Sequence, residues 1–155
     1  MSQTLRERLV GTWKLVSLVG RPVDGSEPFY PMGAKLTGTI MYAPDGYMAV
    51  QIMRQDRPKF PSGDWLLGTD EEIKEAALGY FAYSGPFLID EANMVLTHSL
   101  SVSLDPNWLG QVQRRAVRIE EDLLHLSTET PIESELSEGK ATMYYLTWKR
   151  AEPNM

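Results

Sequence analysis

Leu96-Thr97-His98-Ser99-Leu100-Ser101-Val102-Ser103-Leu104 is the stretch on which the reading of the fold turns. Leu96, Leu100, Val102 and Leu104 share one parity, and Thr97, Ser99, Ser101 and Ser103 share the other. A period of two is what an extended strand imposes when one face of its sheet is dry and the other wet. The dry parity also carries His98, which places a titratable imidazole among leucines rather than among its hydroxyl-bearing neighbours.

Seven further runs rich in Val, Ile, Thr, Tyr and Phe read the same way, at residues 11–20, 36–42, 47–54, 80–90, 111–120, 123–130 and 141–150. With 94–104 they make eight strands and cover roughly half the chain, against a usual strand share of about 20–25%. The connections are short. Ala43-Pro44-Asp45-Gly46 is a tight turn, with φ preset at Pro44 and a positive φ available at Gly46, and Asp90 to Asn93 and Glu120 to Asp122 act alike. Such turns force successive strands to pair antiparallel and leave no room for crossover helices. One helix stands out, capped by Thr69 with Glu72 three residues on and running to Leu78, between the third and fourth strands; a weaker helical turn covers Leu5 to Leu9. An open sheet of eight strands would leave two exposed edges, and closing it removes both. The expected architecture is therefore all-β: a closed eight-stranded up-and-down antiparallel barrel forming one domain over residues 1–155. A barrel of that size is either filled by its own side chains or just wide enough for one small ligand.

Composition narrows the function. The 155 residues include 15 basic and 21 acidic side chains, a net charge of -6 that repels polyanions, so nucleic acid is not an expected partner. No apolar run approaches 18 residues, which argues against a membrane span. The absence of cysteine removes disulfides, thiolate catalysis and Cys-based zinc sites. Arg6, Glu7 and Arg8 interrupt the apolar stretch a signal peptide would need, and a cytoplasmic location is expected. The two histidines, His98 and His125, fall on opposed faces, so no metal site is expected, and no motif calls for a cofactor.

Parity assigns the interior. Met48, Val50, Ile52 and Arg54 point inward from the third run, and Phe81, Tyr83, Phe87 and Ile89 from the fourth. Gln113, Arg115, Val117 and Ile119 do so from the sixth, and Leu124 and Leu126 from the seventh. The ordinary use of an inward histidine is as a core residue satisfied by a hydroxyl or a carbonyl, and inward aromatics ordinarily serve as wall.

Gly11-Thr12-Trp13 at the start of the first long strand resembles the G-x-W signature of lipocalins. Together with Tyr42-Ala43-Pro44-Asp45-Gly46-Tyr47-Met48, Tyr83-Ser84-Gly85-Pro86-Phe87 and Leu146-Thr147-Trp148-Lys149-Arg150, it makes the chain similar to the compact bacterial and fungal lipocalin-like domain family over nearly its whole length. The resemblance implies that Trp13 plugs the closed end of the barrel and that a basic residue after Trp148 stacks across it. Arg150 shares the inward parity of Leu146 and Trp148 and suits that cation–π role. The resemblance implies a pocket without specifying a reaction.

The leading expectation is a protein that binds a small, mostly apolar molecule inside the barrel, against Met48, Val50, Ile52, Phe81, Tyr83, Phe87, Leu100 and Val102, with His98, Arg115, Gln113 and Arg54 as polar groups that orient it. An alternative in the same cavity is a cofactor-independent isomerase or cyclase, with His98 moving a proton and Tyr83 polarising an enolate. A second alternative is a filled barrel acting as a protein–protein module through the acidic Glu129 to Glu138 segment and Pro58-Lys59-Phe60-Pro61. The sequence leaves a homo-oligomer open.

Overall fold

The structure, a computed structural model, describes residues 2–155. Nine strands and two α-helices lie among these residues: α1 (Leu5–Leu9), β1 (Gly11–Pro22), β2 (Leu36–Tyr42), β3 (Tyr47–Arg54), α2 (Asp70–Leu78), β4 (Tyr80–Asp90), β5 (Val95–Ser99), β6 (Val102–Ser103), β7 (Val112–Glu120), β8 (Leu123–Thr128) and β9 (Thr142–Arg150). Every neighbouring pair is antiparallel, and the order follows the chain. β9 returns to β1 along a register from Trp13 opposite Arg150 to Pro22 opposite Thr142, which closes the wall. β6 is a two-residue piece laid on β4. The result is a closed eight-stranded up-and-down barrel with no free edge for another chain to extend.

Local chemistry explains the corners. Gly46 takes φ +96° and its N–H donates to the Ala43 carbonyl, closing the β2–β3 turn. Asp90 accepts from the Asn93 backbone and side chain before β5 begins, an Asx-type turn. Both helices open on capping boxes, Thr4 with Glu7 and Thr69 with Glu72, so each threonine hydroxyl satisfies a backbone N–H that the helix itself cannot.

One end of the barrel is sealed. Helix α1 turns Leu5 and Leu9 inward, and the fully buried Trp13 donates its indole N–H to the Leu9 carbonyl at 2.9 Å. The Arg150 guanidinium lies 4.0 Å from the Trp13 ring centroid and donates to the carbonyls of Val10 and Arg8. A cation, an indole and the last turn of α1 thus tie the first and last strands together at this end.

The alternation of 94–104 does not continue to its end. His98 stands opposite Phe87, but Val102 stands opposite Ser84, where unbroken pairing would place Ser101. One extra residue is accommodated between β5 and β6. Such a bulge reverses the facing of everything beyond it, so Val102, expected inside, is 64% exposed, and Leu104 is also turned out. The strand opposite has Gly85 at this point, and a Cβ there would collide with the Ser99 carbonyl oxygen. The glycine lets the two backbones approach where the bulge forms.

Arg150→Met should remove the cation–π contact and leave two carbonyls short of a donor. The expected loss is about 2 kcal/mol, which for a chain of this size corresponds to a melting temperature lowered by roughly 4–8 °C. Thermal denaturation followed by circular dichroism checks it; an unchanged midpoint would show that this end needs no clasp.

Candidate functional site

Above the sealed end the barrel is hollow. A cavity of about 400 Å³ opens toward the loops opposite α1, within the range of small-molecule sites. Its volume rules out the filled barrel. Val50 and Ile52 of β3, Phe81 and Tyr83 of β4, His98 of β5 and Gln113 and Arg115 of β7 all line it, seven of the residues assigned to ligand contact by parity.

The other five lie elsewhere. Met48, Phe87 and Leu100 face inward but are packed into the core beneath the cavity, where Phe87 meets Tyr42 edge to face at 5.1 Å and the Arg6 guanidinium at 5.0 Å. Parity gives the direction of a side chain and not its height along the barrel, so these residues support the floor instead of lining the space. Arg54 sits at the end of β3 and donates to the Met32 carbonyl at 3.0 Å, which fastens the β1–β2 connection instead of presenting a charge to the cavity. Val102 is on the outer face, as described above.

The floor is polar. His98 is 1% exposed, and both of its ring nitrogens are engaged: the Tyr42 hydroxyl lies 2.9 Å from Nε2 and the Tyr83 hydroxyl 2.6 Å from Nδ1. Burial, reinforced by the Arg115 cation, holds the imidazole pKa down to about 3, so the ring is neutral at physiological pH. Burial acts oppositely on the phenols, pushing Tyr83 up to about 12 and Tyr42 well above its ordinary value. The three rings form a neutral, hydrogen-bonded unit. Tyr83 and His98 face the cavity, whereas Tyr42 is buried behind them.

Gln113 stands opposite His98 and Arg115 opposite Leu96. The Arg115 guanidinium folds back to donate to the Gln113 side-chain carbonyl at 2.6 Å and the Arg114 carbonyl at 2.9 Å. No carboxylate lines the cavity, and Arg115 has no acidic partner among the described residues. A chain that is acidic overall therefore encloses a hollow whose formal charge is positive.

Several residues of the floor and roof escaped parity. Tyr42 shares the inward parity of Ile40, a signal that was present in 36–42. Trp108 comes from a short turn after β6 and stacks edge-on against Phe81 at 5.1 Å. Met32 belongs to the β1–β2 connection, and Ile132 and Leu136 to the acidic segment between β8 and β9. Loop residues carry no periodicity, so nothing local marks them as roof. Helix α2 contributes no lining residue. A hollow of similar volume lies on the outer face beside Arg118, His125 and Tyr145, away from the buried polar unit. Among the described residues no group of three His, Asp or Glu side chains is placed to hold a metal, and no helix is long and apolar enough to cross a membrane.

An up-and-down barrel sealed at one end and hollow at the other defines a class of internal-cavity binding proteins. The model of the lipocalin-like domain family matches residues 10–151, and the chain belongs to that family. A 4'-hydroxy-3'-methoxypropiophenone carrier protein of Aspergillus oryzae is 35% identical over 109 residues, a match covering 66% of this chain and 96% of the relative. Fold, cavity and family together make this a protein that binds a small, largely hydrophobic molecule inside its barrel.

The low pKa of His98 has a consequence for stability. Between about pH 6.5 and pH 3 the unfolded chain takes up a proton at this ring that the folded chain refuses, so stability falls as pH is lowered through that window. Urea denaturation at pH 7, 6 and 5 should show wild type losing stability relative to His98→Gln, with a difference approaching about 1.4 kcal/mol per pH unit below pH 6.5. Parallel curves for the two proteins would mean that the folded ring titrates normally.

Proposed function

We propose that the protein is a carrier for a small aromatic molecule bearing oxygen substituents, a phenol or an aryl ketone, held in the cavity and released unchanged. The observation that carries this reading is the hollow itself: about 400 Å³, walled by aliphatic and aromatic side chains and floored by neutral hydrogen-bonding groups. Flat rings fit between Phe81, Trp108 and the aliphatic wall of Val50 and Ile52, where burying apolar surface supplies most of the affinity. Arg115 and the Tyr83–His98 pair supply orientation. The relative's printed cargo, an aryl ketone with a phenol and a methoxy group, is of this class. A cytoplasmic location accords with a chain free of cysteine.

An isomerase or cyclase would need a base whose pKa lies near the working pH. His98 is held far below it, with both nitrogens already committed. The site is therefore better suited to holding a ligand than to moving its protons.

Trp108 and Trp148 both line the cavity, so occupancy should be visible in tryptophan emission. Titration with 4'-hydroxy-3'-methoxypropiophenone should give saturable quenching with a Kd on the order of 1 µM, as expected for a largely enclosed ligand of this size. Val50→Phe, which fills the hollow from the wall, should weaken binding at least about tenfold without lowering the melting temperature. Absence of saturable quenching, together with no retained small molecule in native mass spectrometry of protein from its own cell, would overturn the carrier reading.

A further inference from the structure

A neutral imidazole has one N–H and one bare nitrogen, so a histidine held between two hydroxyls must donate to one and accept from the other. The choice is not symmetric here. Tyr42 is 1% exposed, lies outside the cavity, and has His98 Nε2 as its sole hydrogen-bond partner among the described residues. If Nε2 carried the proton, Tyr42 would accept it and its own O–H would be left without a partner in the core, the arrangement that buried polar groups avoid. If Tyr42 donates to a bare Nε2, the O–H left over is that of Tyr83, which faces the cavity, where water or a ligand can accept it, and not the closed core. The proton then resides on Nδ1 and is donated to the Tyr83 oxygen, 2.6 Å away.

We infer that the Tyr42–His98–Tyr83 chain is polarised in this one sense, so that the Tyr83 hydroxyl hydrogen is left to donate into the cavity and the site selects ligands that present an acceptor oxygen, a carbonyl foremost, to its floor. This rests on the carrier reading and assigns the chemistry at one end of the cargo. Three further observations agree with it. Arg115 spends its recorded hydrogen bonds on Gln113 and Arg114, leaving other guanidinium N–H groups free. The indole N–H of Trp148, a lining residue, is buried and has no partner among the described residues. No carboxylate of the described residues faces the space. The hollow is rich in donors, which suits ketones, ethers and carboxylates and rejects amines. Tyr42 is then a positioning residue: it touches no ligand but fixes which way the unit donates.

Two measurements test this. In ligand-free protein with 15N-labelled histidine, long-range proton–nitrogen correlation spectra at pH 7 should show His98 as the Nδ1–H tautomer, with His98→Gln distinguishing its signals from those of His125. Tyr42→Phe should release the ring into a mixture of tautomers. The binding arm uses propiophenone and propylbenzene, which differ at the carbonyl. Tyr83→Phe should bind propiophenone about 3- to 10-fold more weakly than wild type does and propylbenzene equally well. Tyr42→Phe should weaken the propiophenone preference although the Tyr83 hydroxyl remains. An Nε2–H ring in wild type, an unmoved tautomer in Tyr42→Phe, or equal losses for both probes in Tyr83→Phe would overturn the proposal and leave the carrier reading standing. Binding of neither probe to wild type would overturn both.

Discussion

An imidazole can be enclosed by apolar walls only where both of its nitrogens find partners, because an unpaired polar atom in a dry interior costs more than a hydrogen bond returns. Tyr42 from β2 and Tyr83 from β4 meet that condition for His98 on β5. Three strands are thereby held at one height along the barrel, and that height divides the interior. Below it Phe87, Met48 and Leu96 pack solidly down to Trp13; above it the wall residues stop short of one another and leave a hollow. The polar unit is both the lid of the core and the floor of the cavity.

That division depends on closure at the far end. The Arg150 guanidinium over Trp13 and its bonds to the backbone at residues 8 and 10 hold β9 against β1 where the ladder begins. With strands joined all round, the cavity needs no internal filling to keep its shape. Each wall segment is supported by two neighbours in the hydrogen-bonding direction, and the sheet carries the load that side-chain packing carries in a filled core.

Much of this was legible in the sequence, and the parts that were not share a cause. Period-two alternation placed all eight wall strands within a few residues, because one face of each is dry. The capping box at Thr69 and the Pro44-Asp45-Gly46 turn are local chemistry, readable without a fold. Alternation failed at Val102 because one inserted residue reverses facing, and the cue to that bulge lies on the opposite strand at Gly85. It misjudged Met48, Phe87 and Leu100 because a period says in or out and nothing about depth. Tyr42 was within reach through Ile40, but its role appears only when β2 and β5 are brought across the barrel from each other. Met32, Trp108, Ile132 and Leu136 could not be read at all, since roof residues on irregular backbone obey no repeat.

The roof differs from the wall in how it is held. Its pieces hang on a few short-range bonds: Trp108 on a single turn begun at Asp105, the Ile132 backbone on one bridge to Thr142, and the turn after Ser134 on the Ser137 hydroxyl. Only the bridge at Thr142 touches the ladder beneath, and it does so at the first residue of β9. Parting the roof therefore costs a handful of local contacts while the staves stay joined, so the dwell time of a cargo and the durability of its container answer to different sets of bonds and can be tuned independently.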